Sequence, residues 1–73
     1  MRQYIGNEYH LFNRELLNRF DAKWVTVRLE RYSEFTDTFQ ATVTVPREHD
    51  GAFVMVSGKA VRDMETGFGE PYA

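Results

Sequence analysis

Between Trp24 and Val56 the chain alternates apolar and polar positions with the period of a β-strand. In Trp24-Val25-Thr26-Val27-Arg28-Leu29-Glu30-Arg31-Tyr32, Val25, Val27 and Leu29 fall on one side. Trp24, Thr26, Arg28, Glu30 and Tyr32 fall on the other, and the β-branched content makes this a half-buried strand. Thr38 to Val45 repeats the pattern, with Phe39, Ala41, Val43 and Val45 on one face and Thr38, Gln40, Thr42 and Thr44 on the other. A face of threonine and glutamine belongs on the wet side of an antiparallel sheet. Ser33-Glu34-Phe35-Thr36-Asp37 is a short polar link, so the two strands form a hairpin. Pro46 ends the second strand because it has no N–H for a ladder, and Asp50-Gly51 signals a tight turn. A third strand follows at Ala52-Phe53-Val54-Met55-Val56, apolar on both faces, with Phe53 and Met55 on one and Val54 and Val56 on the other. Such a strand calls for cover on both sides.

Upstream, Tyr9, Phe12, Leu16, Leu17 and Phe20 fall at the spacing of an amphipathic helix. Asn7 reads as its N-cap, Glu8 suits the first turn and Glu15–Arg19 is a favourable pair one turn apart. The expected helix covers about 8–21 and is roughly 20 Å long. The expected fold is α+β in a single domain over 1–73. One N-terminal amphipathic helix lies on a three-stranded antiparallel meander, with strands at about 24–32, 37–45 and 52–57. Beyond Val56, Ser57-Gly58 reads as a bulge that lets the strand run on through Lys59-Ala60-Val61-Arg62. The alternative is a helix over 58–65 capped by Ser57, and 66–73 reads as an irregular tail.

The totals narrow the function classes. A chain of 73 residues buries only about 60% of its unfolded surface, so partner binding or dimerisation would supply missing burial. The absence of cysteine excludes disulfides, thiolate zinc sites and cysteine nucleophiles, and fits a reducing compartment. No apolar run reaches the roughly 18–20 residues of a membrane helix, and the first residues lack the layout of a signal peptide. A cytoplasmic protein is expected, in the host cytoplasm if it is viral. A net charge of −2 argues against a general polyanion binder. Residues 1–32 carry six Lys/Arg against four Asp/Glu, and residues 33–73 carry three against seven, a small asymmetry that a mixed solvated surface explains. Aromatic residues make up 15% of the chain, more rings than so small a core can hide, and Tyr and Trp favour interfaces.

Catalytic constellations are missing. Ser33 and Ser57 lie in no Gly-x-Ser-x-Gly elbow. His10 and His49, with Glu48 or Asp50, lack the spacing of metal ligands. Glu48/Asp50 and Asp63/Glu65 sit in segments expected to be open to water, where no carboxyl is driven toward acid–base work. Gly67-Phe68-Gly69 is a lone Gly-x-Gly without a strand-to-helix setting. No catalytic residue, metal or cofactor is expected.

The order helix, three-stranded meander and optional second helix resembles the double-stranded-RNA-binding domain. Phe39-x3-Val43-x-Val45 is similar to that family's second strand, and Ser57-Gly58-Lys59-Ala60 to the start of its second helix. The resemblance implies duplex binding through phosphate contacts. The chain departs from the pattern where those contacts are made. Lys59 stands nearly alone before Asp63 and Glu65, and the first hairpin loop lacks the family's glycine, proline and histidine. A single-strand binder would stack bases on Trp24 and Tyr32 beside Arg28 and Arg31, but strict alternation sets Arg31 on the opposite face. Nucleic-acid binding through Arg28, Arg31 and Lys59 is kept as the alternative function.

The leading expectation is a non-catalytic protein-binding module. The sheet face away from the helix should be wet, yet it ends in Trp24 and Tyr32 and must take one apolar pair of the third strand. Either Phe68 and Tyr72 fold back over it or a partner covers it. The expected contact residues are Trp24, Tyr32, Phe35 and Tyr72 as aromatic anchors, Arg28 and Glu30 as orienting charges, and Val54 and Val56. A structural homodimer through an edge strand or this outer face, or a small subunit of a larger complex, is the third possibility. In size and composition the chain is similar in kind to the small inhibitors, anti-CRISPR proteins among them, with which phages occlude host proteins.

Overall fold

The computed structural model describes residues 1–66. Four strands form one antiparallel sheet in the order β1-β2-β3-β4: β1 (Glu8–Leu11), β2 (Val25–Ser33), β3 (Thr38–Val45) and β4 (Phe53–Ser57). Helix α1 (Arg14–Phe20) lies between β1 and β2, and helix α2 (Gly58–Thr66) follows β4 directly. Single 3-10 turns occupy Arg2–Tyr4 and Arg47–His49. The order is therefore β-α-β-β-β-α. It remains α+β, but the three-stranded meander behind one N-terminal helix is overturned.

The expected helix over 8–21 divides in two. Glu8-Tyr9-His10-Leu11 is a strand, paired from Glu8↔Arg28 to Leu11↔Val25. Tyr9 and Leu11 turn toward the core and Glu8 and His10 to the outside, an alternation hidden because Tyr9 also fits the helical stripe. Phe12, counted in that stripe, is exposed. The cap is Asn13 rather than Asn7: its Oδ1 accepts hydrogen bonds from the N–H of Glu15 at 2.9 Å and of Leu16 at 3.4 Å. Asp21 ends α1 in the left-handed region at φ 49°.

Residues 58–66 are helix, not continued strand. Ser57 Oγ accepts the Ala60 N–H at 3.1 Å, and the turn it caps carries Ala60 and Val61 into the core. Ala60 and Val61 are adjacent and both buried, and neighbours in a strand would point to opposite faces. The expected tail from 67 onward lies outside the described residues.

Two register shifts decide which side chains face which way. Thr26 pairs with Val45 but Val27 with Val43, so Thr44 is an extra residue in β3. Leu29 pairs with Ala41 but Arg31 with Gln40, so Glu30 is an extra residue in β2. Each bulge breaks the strict alternation. Past Thr44, Val45 leaves the core side and is exposed. Past Glu30, Tyr32 comes to the core side, opposite Phe39, with ring centroids 4.7 Å apart.

The core lies between the sheet and the two helices. Val25, Val27, Leu29, Phe39, Ala41 and Val43 are fully buried, joined by Leu11, Phe20, Val54, Val56, Ala60 and Val61. The hairpin turn is bound to the start of α2. Asp37, at φ 50°, accepts the Gly58 N–H on its carbonyl at 2.7 Å. Its carboxylate accepts the Tyr32 hydroxyl at 2.6 Å and the two terminal nitrogens of Arg62 at 3.2 and 2.9 Å. Glycine suits position 58, because a Cβ would overlap that carboxylate and force it to shift. Gly58→Ala should cost about 1–3 kcal/mol, as overpacking does, read from the urea midpoint at constant slope. In an Asp37→Ala background the added penalty should vanish, since nothing is left to collide with.

Candidate functional site

Both helices cover the same face of the sheet, and among the described residues no element covers the opposite one. Across it run Glu8 and His10 of β1, Thr26, Arg28 and Arg31 of β2, Gln40 and Thr42 of β3, and Phe53 and Met55 of β4. Arg28 donates to Glu30 at 3.1 Å and Thr42 to the same carboxylate oxygen at 3.0 Å. These bonds, the one from Arg28 foremost, hold the Glu30 carboxyl below its ordinary pKa. His10 Nδ1 lies 2.9 Å from the hydroxyl of Thr26, which is buried despite its place on this face. On β4, Phe53 and Met55 are 60% and 63% exposed, neighbours on one side of an edge strand.

The predicted contact residues do not form one patch. Trp24 is 45% exposed at the start of β2, and Phe35 is wholly exposed at the hairpin tip, at the other end of that strand. Tyr32 is half-buried and held by Phe39 and Asp37, a packing residue rather than an anchor. Val54 and Val56 are in the core, so Phe53 and Met55 form the apolar pair on the open face. The strand's own alternation cannot choose between the pairs; the register Phe39↔Val56 does. Tyr72 lies outside the described residues. For the nucleic-acid alternative, the Glu30 bulge brings Arg31 to the same face as Arg28, opposite to the expectation. Lys59 belongs to α2 on the other layer, bonded to Asp63 at 2.7 Å, so the three do not share a face.

A feature that sequence reasoning missed lies between α1 and β4. Asn13, the cap of α1, and Leu16 in its first turn line a hollow of about 190 Å³ together with Met55, Val56 and Ser57 of β4. Leu11 and Ala60 complete it. At the far end of the helix Arg19 donates to the Phe53 carbonyl at 3.3 Å, and Phe20 packs on His49 with ring centroids 5.0 Å apart. The helix therefore runs antiparallel to β4, with the hollow at its start and Arg19 at its end. Its backbone lies near β2. Only the second half of the predicted helix stripe, Leu16 to Phe20, could have pointed here.

Elsewhere Tyr9 donates to Glu65, and its hydroxyl is pushed up to about 12 by burial first and by the carboxylate second. Among the described residues no three His, Cys, Asp or Glu side chains converge as metal ligands would, and no helix is long and apolar enough to cross a membrane. Comparison with protein-family models, curated proteins and solved structures found no match to this chain.

The Asp37 carboxyl is held below its ordinary value, first by the hydrogen bonds from Arg62 and then by that from Tyr32. A depressed folded-state pKa stabilises the protein above the unfolded value and loses that contribution as pH falls through the folded one. Stability should therefore fall as pH drops from about 4 downward, and less steeply in Asp37→Asn. Urea midpoints measured between pH 6 and pH 2 check this, and parallel curves would refute it.

Proposed function

We propose that the chain is a small non-catalytic protein-binding module that works through the open face of its sheet at Phe53 and Met55. The observation that carries the reading is this adjacent pair, each more than half exposed on an edge strand whose other face is in the core. Apolar surface of this kind, beside a polar field of Gln40, Thr42, Arg28 and Glu30, has the make-up of an interface core with its rim. The small size of the domain adds to the case, since a partner supplies burial that the chain cannot supply itself. Binding alone would block whatever surface it covers, which is how the phage inhibitors similar in size and composition act. A chain without cysteine is compatible with a reducing compartment, and we propose the cytoplasm, the host's if the protein is viral.

Affinity capture from an extract of the source cell, or of its host, tests the reading. A defined protein should be retained after nuclease treatment and at high salt. The double variant Phe53→Ser/Met55→Ser should weaken that capture at least tenfold while keeping the circular-dichroism spectrum. Capture abolished by nuclease, with a steep salt dependence, would overturn the reading in favour of nucleic acid at Arg28 and Arg31.

A further inference from the structure

How a partner is held follows from the edge of β4, given the protein-binding reading. We infer that β4 takes up an extended segment of the partner as a fifth strand, laid in the groove between β4 and α1. An apolar side chain of that segment fills the hollow, and an acidic residue meets Arg19.

The edge is the first ground. Ala52 accepts the Val43 N–H on its carbonyl, and Gly58 donates to the Asp37 carbonyl, so the even-numbered residues of β4 turn their backbone groups toward β3. By antiparallel alternation Phe53, Met55 and Ser57 turn theirs the other way. Of these outward groups the Phe53 carbonyl is met by Arg19. Proteins that keep an edge from pairing cover or distort it; here, among the described residues, the run at Met55 and Ser57 borders the hollow instead.

The hollow is the second. Leu11, Leu16, Val56 and Ala60 give it apolar walls, Asn13 and Ser57 add polar ones at its border, and its volume is about 190 Å³. A cavity of about 150 Å³ already takes a benzene ring, so one leucine- or phenylalanine-sized side chain fits. A strand beside β4 would turn alternate side chains inward to this hollow and outward beside Phe53 and Met55. The same segment thus uses the exposed pair and the hollow together. An edge strand with a helix as the opposite wall is a recurring arrangement for peptide capture, with backbone bonds giving affinity and pockets giving specificity.

Charge is the third. The Arg19 guanidinium sits 4.7 Å over the Phe20 ring at the end of the groove. Among the described residues no carboxylate lies within ion-pair distance of it. A carboxylate of the incoming segment completes that site, and Arg–carboxylate bonds are among the stronger ones available.

The test uses the full chain, isotope-labelled, and one synthetic peptide chosen from a displayed library of random twelve-residue peptides by selection on the immobilised protein. Selected sequences should carry apolar residues at alternate positions and an acidic residue to one side. In the free protein the amides of Val54 and Val56 should exchange slowly and those of Met55 and Ser57 fast. The peptide should slow Met55 and Ser57 at least tenfold, and methylating its backbone nitrogens at alternate positions should cost at least tenfold in affinity. Met55→Pro should do the same from the protein side, since the N–H it removes points away from β3. If that variant unfolds, the methylated peptide decides alone.

Failure to enrich any peptide would overturn the inference, as would binding that leaves the Met55 and Ser57 amides fast. Slow exchange at those amides in the free protein would overturn it too. In that case the edge is already filled by a second copy or by the chain's own residues 67–73, which sedimentation distinguishes. A captured native partner that is lost in Phe53→Ser/Met55→Ser but does not protect the edge amides would leave the protein-binding reading standing and end this one.

Discussion

One carboxylate ties the central hairpin to α2. Asp37 sits in the turn between β2 and β3 and is gripped by Arg62 from α2 and by Tyr32 from its own hairpin. Its carbonyl meanwhile holds the first N–H of α2. An isolated surface ion pair contributes little, but two-pronged geometry joined to a further hydrogen bond is the exception. With that end of α2 fixed to the hairpin, the helix must run back across the sheet, and Ala60 and Val61 fall onto the face that Phe39 and Val56 present. The junction is so tight that a side chain at position 58 would force that carboxylate to shift.

From that placement comes the one-sidedness of the fold. Among the described residues two short helices, of seven and nine residues, cover one face of four strands and no element covers the other. The open face is largely threonine, glutamine and paired charge, which water accommodates. At β4 it is not, because a strand whose buried face holds Val54 and Val56 shows Phe53 and Met55 on its back. The same scarcity keeps α1 from lying flush along β4, and the hollow is the space left over.

Much of this was legible in the chain, and what was not has physical reasons. Alternation carried Val25, Val27, Leu29, Phe39, Ala41 and Val43 to the core side, because β-branched and aromatic residues at period two leave little choice. It failed wherever one residue was inserted. Nothing in Glu30 or Thr44 marks either as a bulge, so Tyr32, Arg31 and Val45 were assigned to the wrong faces. Tyr9 satisfies both the helical and the strand period, and only the capping by Asn13 settles where the helix begins. The groove between α1 and β4 is a product of tertiary packing and had no local signature. The apolar back of β4 did, and it remains the most informative irregularity of the chain.

Strike Glu30 and Thr44 from the text and the hairpin reads in unbroken alternation, every letter on the face it occupies. The two residues are punctuation, each adding a local bend and extra twist to its strand. Curl of that kind brings the outermost strands of a sheet toward one another, and here Leu11 of β1 and Val56 of β4, at opposite edges, line the same hollow. A lineage that dropped either residue would keep its core lettering intact and flatten the page on which it is written. Two residues that form no part of the hollow's wall thus bend the strands that carry it, and the curvature of the sheet does not depend on the residues that line it.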